Sequence, residues 1–205
     1  MTKTLIVVPM KDLSASKTRL AGTLSKSARN KLVRLLYEKT LNFLIPIAAM
    51  EKVEIAVVTK CKYAKAISKK LDVQIIEEPS NLGLSDAIFH SAITAKAMGF
   101  ERLCIIPADL AAPLASDLIA MLNSEAPVTI CPSADLGTNA LVVSPPDAIP
   151  FRYGSRSSLS HLHEANEKGI RARVMKLDSF TFDIDTNKCL ARAMRVVPEI
   201  AGVCA

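Results

Sequence analysis

The amino-acid sequence predicts an α/β fold, with a mostly parallel sheet covered by helices on both faces. The chain has 205 residues, of which 50% are apolar, and this length suits one domain with a sizeable core. Short continuous apolar runs recur along residues 1–131, as in parallel strands that are buried on both sides. Longer stretches with helical periodicity separate these runs, and such alternation is typical of a layered α/β domain.

The predicted strands of this first part are short runs rich in branched aliphatic residues. They cover residues 5–8, 53–59, 73–76, 103–106 and 128–131. Helices are predicted between them at 27–45, 62–71, 85–98 and 115–122. Gly99 marks the end of the third helix and Pro113 precedes the fourth, because glycine favours helix ends and proline favours helix starts. Ligands of such open sheets bind at the carboxyl ends of the strands, so the loops 9–20, 77–86 and 107–113 are the candidate site.

The pattern changes after residue 131, where a β-rich C-terminal return is predicted. Strands are expected at 139–143, 172–177 and 180–184. Helices are expected at 157–168, which Gly169 ends, and at 186–197, for which Thr186 is the N-cap. The sequence shows no internal repeat and no linker, so we expect a single domain over residues 1–205.

The composition limits the possible classes of function and indicates a cellular compartment. Lysine and arginine number 26 against 20 acidic residues, a net charge of +6 that suits an anionic small molecule but is too small for a nucleic-acid-binding surface. Aromatic residues make up 4% with no tryptophan, which argues against stacking on single-stranded nucleic acid. Five cysteines without a CxxC pair argue against a disulfide framework or a zinc site and favour the cytoplasm. No apolar stretch resembles a membrane span or a secretory signal, so we expect no membrane partner.

The first candidate site is the basic loop after the first predicted strand. It carries Lys11, Lys17 and Arg19 where a nucleotide is expected, and several such donors are needed to offset the charge of a triphosphate. A solvated loop is an equally good interpretation of these charges. The chain lacks GxxxxGK[ST], which excludes a Walker-type phosphate cradle, and it lacks GxGxxG after this strand, which disfavours a dinucleotide dehydrogenase.

Three aspartates form the second candidate site. Asp109 directly follows a buried strand, a good position for a ligand of a hard cation, although an aspartate there can also cap the next helix. Asp183 and Asp185 lie two apart in an extended segment and face the same side, so a cation between them would relieve their repulsion. The alternative is that Asp185 caps the last helix and Asp183 is solvated. With the three cations, these carboxylates fit magnesium and a polyphosphate.

Glycine and polar residues before a strand and before a helix form the third candidate site. Thr138 directly precedes the strand predicted at 139–143, which Asn139 opens, and Gly154 precedes the helix predicted at 157–168, which Ser157 opens. Backbone and side-chain donors of this kind bind anions, but Ser157 is also a good N-cap. The histidines at 161 and 163 stand two apart and cannot share a helix face, which disfavours a histidine metal site.

Ordered motifs give the chain a resemblance to a known family. The motifs are V-P-M-K-x-L-x-x-x-K-T-R-L at 8–20, G-L at 83–84 after an acidic residue, P-A-D at 107–109, G-T-N-A-L at 137–141, G-x-x-S at 154–157 with H-x-x-x-A at 161–165, and D-I-D-T at 183–186. In this order, over essentially the whole chain, they resemble the guanylyltransferases of coenzyme F-420 biosynthesis. P-A-D or D-I-D alone would not be specific, since both recur in related nucleotidyltransferases.

The resemblance implies a GT-A-like, Rossmann-related nucleotidyltransferase fold of three α/β/α layers. It implies transfer of a guanylyl group from GTP to 2-phospholactate, phosphoenolpyruvate or 3-phosphoglycerate. Magnesium would lie on Asp109, Asp183 and Asp185, and the catalytic residues would be Lys17, Arg19 and Asp109. The implied contacts to nucleotide and acceptor are Pro9, Lys11, Lys17, Arg19, Gly83, Leu84, Thr138, Asn139, Gly154 and Ser157. The chain departs from the family after Gly83-Leu84, where Ser85-Asp86 replaces the usual Asn.

Two other functions stay open on the sequence. Another nucleotidyltransferase of the same fold, of the molybdopterin or sugar-phosphate type, usually opens on a glycine-rich loop, and this chain has no glycine before Gly22. A non-catalytic nucleotide-binding module would be expected to lose one of the three carboxylates, and all three are present. A homodimer is a further expectation, and the residues do not decide which three-carbon phosphate is the acceptor.

Overall fold

The computed structural model describes residues 2–13, 16–79 and 83–204, so residues 14–15 of the basic loop and 80–82 of the loop before Gly83 lie outside the described residues. The described strands are β1 (Thr4–Pro9), β2 (Glu54–Thr59), β3 (Gln74–Glu77), β4 (Arg102–Ile105), β5 (Val128–Pro132), β6 (Thr138–Val143) and β7 (Ala172–Val174). The described α-helices are α1 (Lys26–Glu51), α2 (Lys62–Lys70), α3 (Leu84–Ala97), α4 (Ala115–Leu122), α5 (Ser157–Glu167), α6 (Asn187–Val196) and α7 (Pro198–Cys204).

The strands form one sheet in the order β3-β2-β1-β4-β6-β5-β7. The pairs β1–β2, β1–β4, β2–β3 and β5–β7 are parallel, whereas β6 runs antiparallel to both of its neighbours, β4 and β5. The mostly parallel α/β sheet that the sequence predicts is therefore confirmed. The C-terminal return is not an appendage, however, because β6 is inserted between β4 and β5. Its residues 139–143 are all buried, which suits a strand in the middle of the sheet.

Alternate strand residues pack against helices on opposite faces of the sheet. Ile6 and Val8 of β1 belong to a cluster with α1, α2 and α4, while Leu5 and Val7 belong to a cluster with α3 and α5. This follows from the two-residue side-chain period of a strand. The sheet lies between two helical layers, and the expected three-layer α/β/α arrangement is confirmed.

A third cluster of buried apolar residues joins the basic loop to α1 and to the C-terminal helices. Leu20 from the basic loop and Leu36 from α1 pack there against α6 and α7. Phe182 and Ile184 also lie in this cluster, with exposed fractions of 7% and 0%. The two alternating aspartates of the same segment, Asp183 and Asp185, are thereby held at the surface of a packed core.

Three predicted elements differ from the structure, and one helix was not predicted. The strand predicted at 180–184 is wrong, because Asp178–Phe180 is a 3-10 turn and the following segment makes an isolated bridge between Asp183 and Leu110. The strand predicted at 172–177 ends at Val174. Helix α1 continues through Pro46 to Glu51, and α7 was not predicted.

Both predicted N-cap aspartates lie outside helix caps. Helix α4 has Leu114 as its N-cap, five residues beyond Asp109. Helix α6 has the predicted Thr186 as its N-cap, whose hydroxyl accepts a hydrogen bond from the Cys189 amide at 3.3 Å. Asp109 and Asp185 are thus not held in place by helix capping. None of the helices within residues 2–13, 16–79 and 83–204 has both the length and the apolar character needed to cross a membrane.

Candidate active site

The candidate site lies where β1, β4 and β6 meet at one edge of the sheet. The parallel strands β1 and β4 end there, and the antiparallel β6 begins there, since Leu141 of β6 pairs with Ile105 at the end of β4. The basic loop follows β1 and the loop with Asp109 follows β4. Strand order thus brings the three predicted groups of site residues to the same edge.

Lys17 joins two of the predicted metal ligands. Its Nζ donates to Asp109 Oδ2 at 2.5 Å and to Asp185 Oδ1 at 2.8 Å, although these residues lie 92 and 168 positions away. The Lys17 side chain is 5% exposed, and those of Asp109 and Asp185 are 29% and 45% exposed. Arg19 adds a longer contact, Nη1 to Asp185 Oδ2 at 3.6 Å, from a side chain that is 71% exposed. Two carboxylates from distant parts of the chain therefore already share one cation.

Burial and charge oppose each other at Lys17. Burial alone would lower the pKa of the ammonium, but the charges of Asp109 and Asp185 and their hydrogen bonds outweigh it, so the pKa lies above its usual value of 10.5. Lys17 also adopts a left-handed backbone with φ 54°, an uncommon conformation for a residue with a side chain. Such strain persists where surrounding contacts enforce it, and here the two carboxylates do so.

Asp183 stands beside the other two aspartates and is held by Asn139. The Asn139 amide nitrogen donates to the Phe180 carbonyl at 2.6 Å and to Asp183 Oδ1 at 3.3 Å. Burial, followed by the negative charge of Asp109, raises the pKa of Asp183, and the Asn139 hydrogen bond opposes this rise. A carboxylate whose ionised form is disfavoured by its neighbours is stabilised by an added cation.

A cleft of about 340 Å³ contains most of the predicted nucleotide contacts. Val33 and Leu36 of α1 contribute apolar side chains to its lining. The predicted residues that line it are Pro9, Lys11, Lys17, Arg19 and Leu84, together with Asp109 and Asp185. Gly83 is the N-cap of α3, next to the lining residue Leu84. Both charged and apolar side chains line the cleft, which suits a nucleotide.

The predicted acceptor contacts form a second group beside this cleft. The Ser157 hydroxyl donates to Thr138 Oγ1 at 3.0 Å, and Thr138 Oγ1 also lies 3.0 Å from His161 Nδ1. Gly154 precedes this helix start with φ 136°, a value that residues with a side chain rarely adopt. Ser157 is not the N-cap of α5, because Arg156 occupies that position. The Ser157 hydroxyl is thereby available for Thr138.

A β-bulge changes the directions of the side chains at the start of β6. Ala140 pairs with Cys131 and Thr138 pairs with Pro132, so the register shifts past Asn139. Asn139 then lies on the same side as Ala140, toward Phe180 and Asp183, and Thr138 turns toward α5. Bulges near functional sites redirect side chains in this way.

Sequence reasoning noted His161 in the H-x-x-x-A motif but gave it no role in this site. The residue is fully buried and contacts Thr138. Its signal was present in the sequence, since Ser157 and His161 are four residues apart and therefore share one helix face. The departure at Ser85 has a structural role as well, because its hydroxyl accepts a hydrogen bond from the Tyr153 amide at 3.0 Å and so ties α3 to the segment before Gly154.

The donor set at the aspartates fits a hard divalent cation. Carboxylate oxygens are the ligands that magnesium prefers, and Asp109, Asp183 and Asp185 interact through their charges. In the part of the chain that the structure describes, no three histidine, cysteine, aspartate or glutamate side chains meet in a ready metal-binding geometry. The Lys17 ammonium lies between two of the three carboxylates, so a metal ion on all three would compete with Lys17 for Asp109 and Asp185.

Comparison with known proteins gives the chain its family. The model of a family described as guanylyl transferase CofC like matches residues 4–194. The chain belongs to this CofC-like family. The match spans every predicted site residue, from Pro9 to Asp185.

Individual relatives agree with this assignment. A 3-phospho-D-glycerate guanylyltransferase of Colwellia psychrerythraea is 37% identical over 90% of this chain and 88% of that protein. A 2-phospho-L-lactate guanylyltransferase of Methanothermobacter thermautotrophicus is 30% identical over 90% of this chain and 80% of that protein. A solved nucleotidyl transferase from the latter organism covers 98% of this chain and 99% of its own, with a TM-score of 0.64 and 16% identity. At that identity the structural likeness shows that the CofC-like chain shares the fold of nucleotidyltransferases.

Proposed function

We propose that this CofC-like protein transfers the guanylyl group of GTP to a phosphorylated three-carbon acid, with release of pyrophosphate, in coenzyme F-420 biosynthesis. The observation that carries the proposal is the Lys17 ammonium shared by Asp109 and Asp185 inside the charged cleft. The names of the relatives support guanylyl transfer and three-carbon phosphate acceptors. The complete carboxylate set disfavours a non-catalytic nucleotide-binding module.

The proposed reaction makes one bond and breaks one. An oxygen of the acceptor phosphate attacks the α-phosphorus of GTP, the bond between the α-phosphorus and the bridging oxygen breaks, and pyrophosphate leaves with the electron pair. The acceptor phosphate is already an anion at neutral pH, so the step needs no general base. The main obstacle is the repulsion between two anionic substrates, and catalysis consists of positioning and charge stabilisation.

The residues of the cleft supply the opposing charge. Lys11 and the exposed Arg19 line the cleft and would bind phosphate oxygens of the nucleotide. Lys17, once freed from one carboxylate, would neutralise charge on departing pyrophosphate. Asp109, Asp183 and Asp185 would hold magnesium, which supplies further neutralisation of phosphate charge.

Thr138, Gly154 and Ser157 supply the proposed acceptor side. They lie across Asn139 from Asp183, so the acceptor would approach from the α5 side and GTP from the basic loop. The relative at 37% identity makes 3-phosphoglycerate the first acceptor to test.

The cysteines support a cytoplasmic location for the protein. Cys61, Cys104 and Cys131 are buried and free, which fits a reducing compartment.

The test is a panel of acceptors with GTP and magnesium. We expect pyrophosphate release with at least one of 3-phosphoglycerate, 2-phospholactate and phosphoenolpyruvate, and a product whose mass is that of GMP plus the acid minus one water. Asp109→Asn should lose turnover by at least roughly a hundredfold, since it removes a charge at the reacting centre. The matched control Asp72→Asn changes an exposed aspartate and should keep wild-type turnover. Wild-type protein without guanylyl transfer to any of the three acids would refute the proposal.

A further inference from the structure

His161 connects two parts of the chain through both of its ring nitrogens. The backbone N–H of Arg152 donates to His161 Nε2 at 2.9 Å. A neutral imidazole carries one proton, so the nitrogen that accepts cannot also be the one that donates. The proton therefore sits on Nδ1, and Nδ1–H donates to Thr138 Oγ1, 3.0 Å away. The backbone of the segment before Gly154 thus sets the tautomer of the ring.

Thr138 consequently has both of its lone pairs in use. A hydroxyl oxygen accepts two hydrogen bonds and donates one. Here Oγ1 accepts from Ser157 Oγ and from His161 Nδ1. His161 and Ser157 are buried, at 0% and 1% exposure, whereas Thr138 is only partly buried. Among the described residues no acceptor receives a hydrogen bond from the Thr138 hydroxyl, so its one proton is left for a bound ligand.

We propose that His161 is a positioning residue for the acceptor, which makes the Thr138 hydroxyl an obligate donor to an anionic oxygen, a phosphate or carboxylate of the bound acid. This inference rests on the proposed function for the identity of the ligand, and it adds a residue that does not touch that ligand. A ligand group that could only donate, such as an ammonium, would find no acceptor on Thr138. The arrangement therefore selects for anionic acids at this position.

The surroundings of the ring keep its tautomer fixed. Burial lowers the pKa of His161 to about 4, while the nearby Glu164 carboxylate acts in the opposite direction. Glu164 itself pairs with Arg152 Nε at 2.8 Å, and Tyr153 packs edge-on against the ring with centroids 5.1 Å apart. The imidazole is neutral in any ordinary assay buffer, so the donor to Thr138 does not change with pH near neutrality.

The test is a double-mutant cycle between His161 and Thr138, read by calorimetric titration with 3-phosphoglycerate, 2-phospholactate and phosphoenolpyruvate, each with and without a non-hydrolysable GTP analogue. His161→Phe should weaken binding of the acid roughly tenfold, the worth of one hydrogen bond to a charged group, and leave binding of the analogue within about twofold. In a Thr138→Val background the same substitution should have almost no further effect, because the hydroxyl that it orients is gone.

Two variants separate donation from packing. His161→Asn places an amide N–H near the position of Nδ1 and should restore acid binding to within about threefold of wild type. The control His163→Phe alters the exposed histidine of the same helix and should leave acid binding unchanged. The ¹⁵N shifts of the His161 ring should show a protonated Nδ1 and an unprotonated Nε2.

Each outcome bears on one claim. Equal losses from His161→Phe in both backgrounds, a ring protonated on Nε2, or no binding of any of the acids by wild-type protein would overturn the positioning role. Coupled losses of acid binding in a protein that transfers no guanylyl group would support the positioning role and refute the proposed reaction. The binding cycle and the transfer assay can therefore fail independently.

Discussion

Replacing His161 with a residue that does not titrate should flatten the dependence of stability on pH. In the folded protein burial lowers the pKa of His161 from 6.5 to about 4. Above pH about 6.5 the ring is neutral in both states, so the folded protein keeps its full stability. As the pH falls from about 6.5 toward 4, the unfolded chain takes up a proton that the folded ring refuses, and stability is lost. The difference of about 2.5 in pKa corresponds to about 3 kcal/mol across this window.

Urea unfolding at several pH values between about 7.5 and 4.5 measures this loss. At the upper end His161→Asn should be less stable than wild type, because its hydrogen bonds are imperfect. The difference in unfolding free energy between the two proteins should become smaller by about 2 to 3 kcal/mol as the pH falls to about 4.5, since only the wild-type chain gains a proton at residue 161 on unfolding. Asp183, whose pKa burial raises, and Asp135, whose pKa the Ser133 hydrogen bond lowers, titrate in both proteins and largely cancel in the comparison. Parallel stability curves for the two proteins would refute the neutral, buried ring.

Three further predictions concern the basic loop, the bulge and the first helix. Arg19→Ala should reduce turnover at least tenfold but change the free energy of unfolding by less than about 1 kcal/mol, because the side chain is 71% exposed; Arg173→Ala, another exposed arginine, is its control, and a large loss of stability from Arg19→Ala would contradict its assigned role. Gly137→Ala should destabilise by about 1 to 3 kcal/mol in urea and weaken acceptor binding, because the new Cβ would lie 2.6 Å from Ser133 Oγ; wild-type values would show that the turn can adjust. Ser25→Ala should cost about 1 kcal/mol of unfolding free energy with unchanged turnover, because it removes the acceptor for the Ala28 amide; an unchanged unfolding midpoint would count against the cap.

The elements that the sequence predicted well are those that depend only on residues close together in the chain. The apolar run at 5–8 and the helix over 115–122 could be predicted because burial on both faces and helical periodicity are visible in a short window. The position of β6 was not visible, since pairing between β4 and β6 depends on the whole sheet rather than on the strand's own residues. The segment at 180–184 looked like a strand because Phe182 and Ile184 alternate with aspartates, but the alternation reflects packing against α6.

The candidate site was predicted as a set of residues rather than as an arrangement. Charge type and motif order pointed to the aspartates and the basic loop, and the structure brings Lys17, Asp109 and Asp185 together. That a lysine from the loop sits between the carboxylates depends on a left-handed backbone at Lys17, which local sequence does not reveal. The contact of His161 with Thr138 likewise joins a helix to a strand 23 residues away.

The register shift at Asn139 allows two consecutive residues of β6 to contact two different parts of the site. With regular alternation Thr138 would lie on the same side as Ala140 and Val142, against α1 and α4, and far from the imidazole that orients it. A single additional residue sends consecutive side chains to separate partners, one to the carboxylates and one to α5. Substitutions on α5 should therefore change which acid is bound, while Asn139 on the opposite side of the strand still donates to Asp183.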